Sequence, residues 1–79
     1  MRLRTVAKDP ESGNGGCPSV HVDADDDRIV VQGAHVENSD LPDFLPDEGG
    51  VKIDPEILVE AMPEILAAAK RRAERQVPA

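Results

Sequence analysis

Apolar and polar positions alternate over short stretches in the first two thirds of the chain and change to a helical period in the last third. Val20 and Val22 stand between polar neighbours, and Ile29-Val30-Val31 is a β-branched run. Both read as short strands. Between them, Asp23-Ala24-Asp25-Asp26-Asp27 reads as a turn, because aspartates bond to nearby backbone and tolerate unusual dihedrals. The first strand is expected to open near Pro18, since proline is tolerated at a strand's first residue. The second is expected from about Arg28 to Val36 with a bend at Gly33, and Val51-Lys52-Ile53 is a third. In this register Val30 faces the core.

Residues 1–16 end in Ser12-Gly13-Asn14-Gly15-Gly16 and read as a flexible segment. Leu3 and Val6 are candidates for weak pairing with a sheet edge. Residues 37–50 read as a loop broken by Pro42, Pro46 and Gly49-Gly50. Within it, the i, i+3, i+4 spacing of Leu41, Phe44 and Leu45 fits one helical turn capped by Asp40 and folded onto the sheet.

The C-terminal third carries the strongest local signal. Asp54 fits a helix cap, Pro55 the first helical position, and Glu56 the positive end of the helix dipole. Ile57, Leu58, Ala61, Met62, Ile65, Leu66 and Ala69 recur at helical spacing as one apolar stripe. Lys70, Arg71, Arg72 and Arg75 read as a solvated, dipole-matched end. Pro63 removes a backbone donor, so a kink is expected there, or a break in which Pro63 starts a second helix. The fold class expected is α+β: a small antiparallel hairpin or three-stranded sheet followed by a C-terminal amphipathic helix. One domain over residues 17–75 is expected, with 76–79 as a tail.

Composition adds a constraint. The 79 residues contain one aromatic, Phe44, and one cysteine, Cys17. A single core in this size range supplies only about 3–5 kcal/mol. A lone cysteine forms no intramolecular disulfide and no thiolate-rich zinc site, which leaves self-association or a partner as the means of stabilisation. The start of the chain is basic but leads into Lys8-Asp9-Pro10-Glu11 rather than an apolar signal core, and no apolar run approaches the ~20 residues of a membrane span. A cytoplasmic protein with no membrane association is expected.

Charge is uneven. Residues 9–64 hold fifteen acidic side chains against Arg28 and Lys52, while residues 1–8 and 65–79 each carry a net +3, giving −7 in all. An acidic body repels phosphates, so direct nucleic-acid binding is not expected. The acidic surface either keeps a marginal core soluble or meets a basic partner.

Candidate sites for chemistry are weak. The aspartate turn opens like a calcium loop but has Arg28 at the sixth position, where glycine belongs, and Ala34 at the twelfth, where glutamate belongs. Cys17 and His21, four apart on a strand, are separated by roughly 13 Å, too far for a nucleophile and its base. His21 and His35 without a third ligand are a weak metal signal. The glycines of 13–16 neither follow a strand nor open a helix, as a phosphate loop requires. No catalytic residue, metal or cofactor is expected. The residues put forward for binding a partner are Asp25, Asp26 and Asp27, projecting from the turn, with Ile57, Ala61 and Ile65 on the helix stripe.

Cys17-Pro18-Ser19-Val20, followed by Ile29-Val30-Val31-Gln32-Gly33 and by Val51-Lys52-Ile53-Asp54-Pro55, resembles a group of small uncharacterised actinobacterial proteins. Those carry a Cys-Pro-(Thr/Ser) element, a Val-Val-Gln-Gly element and a Val-x-Ile-Pro-like step into a helix. The resemblance covers residues 12–60. It implies a protein that partners a helix-turn-helix regulator, because such proteins are often encoded beside one; related proteins with a Gly-Asn-Cys element are antitoxin-like. The function expected is therefore a small, acidic, non-catalytic regulatory protein that binds a protein partner. The alternative is a self-associating homodimer module.

Overall fold

The computed structural model describes residues 1–10, 18–43 and 45–76. Five strands and one long helix follow in the order β1 (Leu3–Lys8), β2 (Ser19–Asp23), β3 (Ile29–Gln32), β4 (Ala34–Val36), β5 (Gly50–Lys52) and α1 (Pro55–Gln76), with a 3-10 turn at Asn38–Asp40. β1, β2 and β3 form an antiparallel sheet with β2 in the middle, and β4 pairs with β5 in a separate two-stranded sheet. The fold is α+β.

The central strand sets the register. Val20 lies opposite Val31 and Val22 opposite Ile29, while His21 lies opposite Val30. Strand side chains alternate between faces, so Val20, Val22, Ile29 and Val31 share one face and His21 and Val30 the other. On the first face α1 packs, with Ala7, Val20, Ile57 and Ala61 as the buried core and Val6, Ile29, Ile53, Leu58 and Ile65 closing around them. Ala61 and Ala68 are completely covered, and their small side chains let the helix come close to the sheet. Fully burying a Val or Ile contributes about 1.5–3 kcal/mol each. Val30 departs from its expected place: it belongs to the face away from the helix, because the tight register with His21 puts it one residue out of phase with the buried valines.

Two departures concern which strands meet. Leu3–Lys8, expected in a flexible lead-in, forms a full strand along β2, with Ala7 opposite Val20 and Thr5 opposite His21. The register slips between Thr5 and Ala7, a bulge at Val6, so that Val6 and Ala7 both contribute to the core. The strand at Gly50–Lys52, expected as the third strand of the main sheet, instead pairs with β4. The expected bend at Gly33 is where β3 ends and β4 begins. There a β-carbon would collide with the carbonyl oxygen of Lys52, so the close approach of the two backbones requires glycine.

The loop before β5 also departs from expectation. The chain leaves the 3-10 turn in extended conformation at Leu41, Asp43 takes a positive φ of 50°, and Leu45 stays exposed. Leu41 packs against Gly50 rather than on the main sheet; Phe44 and Cys17, which figured in the expectations, lie outside the described residues. The helix runs through Pro63 without a break. Its first turn is closed by Ile57 N–H donating to Asp54 C=O at 3.0 Å.

Candidate functional site

The turn between β2 and β3 is held from both sides. Asp23 N–H donates to Arg28 C=O at 2.8 Å and Asp27 N–H to Asp23 C=O at 2.7 Å, closing a four-residue loop. Asp27 takes the left-handed conformation, φ 59°, which aspartate tolerates better than most residues. Asp23 Oδ1 accepts from Asp25 N–H at 2.9 Å and from Arg2 N–H at 3.3 Å, tying the turn to β1.

Each turn aspartate expected to project toward a partner is engaged within the chain. Asp25 Oδ1 accepts from Arg2 Nε at 2.6 Å, and its other oxygen lies 3.3 Å from the N-terminal ammonium. Asp26 accepts from Arg28 N–H at 2.9 Å. Asp27 is only 8% exposed. Its carboxylate accepts from Arg75 Nη1 at 2.6 Å and Arg71 Nε at 3.0 Å. Arg72 and Arg75 also donate to the Asp26 carbonyl, at 2.6 and 3.2 Å. The helix end, read from sequence as merely solvated, is thus a clamp on the turn.

These contacts set the charge states. The Arg75 hydrogen bond, with help from Arg71 and against the opposing effect of burial, holds the Asp27 carboxyl below the usual carboxylate range. Asp25 is held low by Arg2 and the N-terminal ammonium. The Arg2 guanidinium is raised in turn by Asp25.

The face of the sheet away from the helix carries a polar chain that the sequence reading missed. Thr5 Oγ1 lies 2.9 Å from His21 Nδ1, Ser19 Oγ lies 2.9 Å from His21 Nε2, and Ser19 donates to Gln32 Oε1 at 3.2 Å. One tautomer satisfies every atom: Thr5 O–H donates to Nδ1, Nε2–H donates to Ser19 Oγ, and Ser19 O–H donates to Gln32. Ser19 then gives its proton to an amide rather than to imidazole, and at 3% exposure its oxygen is closed to a substrate. The chain of bonds crosses all three strands and stitches them. The signal was readable: Ser19 and His21 are two apart on one strand, so they share a face.

Of the helix residues put forward for a partner, Ile57 and Ala61 are buried in the protein's own core and Ile65 is half-buried beside them. Ile57 and Ala61 are covered by the sheet, whereas Ile65 keeps part of its side chain exposed. The apolar side chains the helix leaves exposed are Val59, Met62 and Leu66.

The acidic side chains outside the turn are placed differently. Glu37, Asp40, Asp43, Asp47, Glu48, Asp54, Glu56 and Glu60 are all exposed, and none of the ion pairs among the described residues uses them. Lys52 is the only cation in residues 29–69. Leu41, Pro42, Asp43, Glu48, Gly49 and Gly50 line a shallow depression of about 350 Å³ within this segment.

Among the described residues no group of three or more His, Cys, Asp or Glu side chains is arranged to hold a metal ion, and no helix is long and apolar enough to cross a membrane. Comparison with family models, with curated proteins and with solved structures gives no match to this chain.

Proposed function

We propose that this chain is a small, acidic, non-catalytic regulatory protein of the cytoplasm that binds a basic surface on a protein partner, a helix-turn-helix regulator or a toxin-like protein. One observation supports this reading above the others: the eight exposed carboxylates between Glu37 and Glu60 that no arginine or lysine of the described chain engages. The turn aspartates Asp25, Asp26 and Asp27 are already paired with Arg2, Arg28, Arg71 and Arg75, so the unpaired negative charge lies in the segment from Glu37 into the first turns of α1. Like charges held together repel one another, and a basic partner relieves that repulsion. The same field repels nucleic-acid phosphates, which suits a protein that acts on a regulator rather than on its DNA.

Electrostatic complementarity of this kind acts mainly on the association rate and is screened by salt. The test is the association rate with a helix-turn-helix regulator or toxin-like protein captured by the chain, measured as ionic strength rises. It is repeated with a variant carrying Asp40→Asn, Asp43→Asn, Asp47→Asn and Glu48→Gln. Association should slow several-fold in both cases, with a smaller change for Asp25→Asn. Salt-independent binding, or tight binding of bare duplex DNA by the isolated chain, would overturn the reading. A second reading, a self-associating homodimer, has its own support in the exposed apolar side chains of α1.

A further inference from the structure

Val59, Met62, Leu66, Ala69 and Ala73 follow one another at spacings of three, four, three and four residues, and all five are exposed. At 3.6 residues per turn they fall within a stripe roughly 80° wide. It points away from Ile57, Ala61 and Ala68, which the sheet covers. Val59 is 69% exposed and Leu66 62%, an arrangement that leaves large apolar side chains in water along about two turns of helix. A three-four repeat of this kind is the seam of a coiled coil. The same helix is also polar along its length: Glu56, Glu60 and Glu64 lie in its first half, and Lys70, Arg71, Arg72 and Arg75 in its second.

We propose that this stripe is the docking surface for a second copy of the chain, with the two α1 helices antiparallel about a two-fold axis near the Met62–Leu66 turn. In that arrangement Leu66 packs over Met62 of the second copy and Val59 over its Ala69, and symmetry repeats both contacts. Glu56 and Lys70 flank the stripe on one side, seven residues apart at each interval through Pro63. Antiparallel pairing therefore brings Glu56 of each copy beside Lys70 of the other. Neither side chain has an ion pair among the described residues of the single chain, so both are available. A parallel pairing would instead bring Glu56 level with Glu56 and Lys70 level with Lys70, with no opposite charge to meet. Charge thus selects the occupant and its direction. A closed two-fold pair is also the commonest way for a domain with so small a core to cover apolar surface.

This surface shares only Glu56 with the acidic segment, and its test needs no partner protein. Sedimentation equilibrium of the full chain at high micromolar concentration should give twice the 8.5 kDa chain mass. Leu66→Glu should raise the dimer dissociation constant by about tenfold or more while leaving the far-ultraviolet circular dichroism unchanged, because the site is exposed in the single chain. Glu56→Lys should weaken the dimer, and Glu56→Lys combined with Lys70→Glu should restore it. A wild-type mass of one chain across the whole concentration range would overturn the proposal. So would a Leu66→Glu dimer as tight as wild type, or a double charge reversal that fails to recover what the single reversal lost. Should Leu66→Glu fail to fold, the charge-reversal pair decides the matter.

Discussion

Arg75 Nη1 lies 2.6 Å from Asp27 Oδ2, joining a helix end to a hairpin turn 48 residues earlier in the chain. The contact fixes the far end of α1 on the sheet, where apolar packing has thinned to Ala68 and the edge of Ile29. Asp27 also carries the turn's left-handed backbone. Asp27→Ala should therefore lower the melting temperature more than Asp26→Ala or Asp25→Ala, since it removes the acceptor of two guanidiniums and strains the turn. Thermal melts of the three variants check the ranking; equal effects would mean that the clamp contributes nothing.

The same pair predicts an acid dependence. The folded Asp27 carboxyl titrates below its unfolded value of about 3.9. Its contribution is therefore fully present above that value and is lost as pH falls through the lower, folded one. Asp25 has the same sign. Stability measured by urea unfolding should fall on acidification below about pH 4, and Asp27→Asn should flatten that limb by removing the titrating group.

Sheet register makes a sharper distinction. Val20 is fully covered, so Val20→Asp places an unpaired charge in the core. That costs several kcal/mol, comparable to the whole stability of a small domain. Val30 is opposite His21 on the other face, and Val30→Asp should retain a cooperative melt. If both variants unfold, the face away from α1 is covered as well.

Gly33→Ala tests the junction of the two sheets. The added methyl meets the Lys52 carbonyl, and forcing the strands apart should cost about 1–3 kcal/mol, the range for overpacking. Amide exchange should quicken at Ala34–Val36 before it quickens in the main sheet. Unchanged exchange there would show that the backbones can separate freely.

Metal removal should change nothing. The carboxylates of Asp25, Asp26 and Asp27 are taken up by Arg2, Arg28, Arg71 and Arg75, and that of Asp23 accepts from the backbone N–H groups of Arg2 and Asp25. Melts with and without EDTA should superimpose, and a drop of several degrees with chelator would give the turn a cation.

The sequence by itself determined the local elements whose signal is periodic or chemical: the strands around Val20 and Ile29, the aspartate turn, the bend at Gly33 and the helix from Pro55. Alternation, β-branching and capping act over a few residues, and tertiary context did not oppose them here. β1 was obscured because the bulge at Val6 breaks its alternation and Leu3 points to the face away from the helix. Only the tertiary structure decided pairing and orientation. Gly50–Lys52 joins β4 because the Gly33 corner brings those backbones together, a relation between residues too distant for any local pattern to encode. The helix stripe read as one face divides into two, since the sheet is wide enough to cover Ile57, Ala61 and Ile65 but not Val59, Met62 and Leu66. Asp27, accessible in any local reading, is taken up by Arg71 and Arg75 because packing the helix on the sheet lays its basic end across the turn, while Asp25 is held by Arg2 from the start of the chain. Side-chain chemistry was legible along the chain; which side chains face each other, and which remain free for a partner, was set by long-range packing.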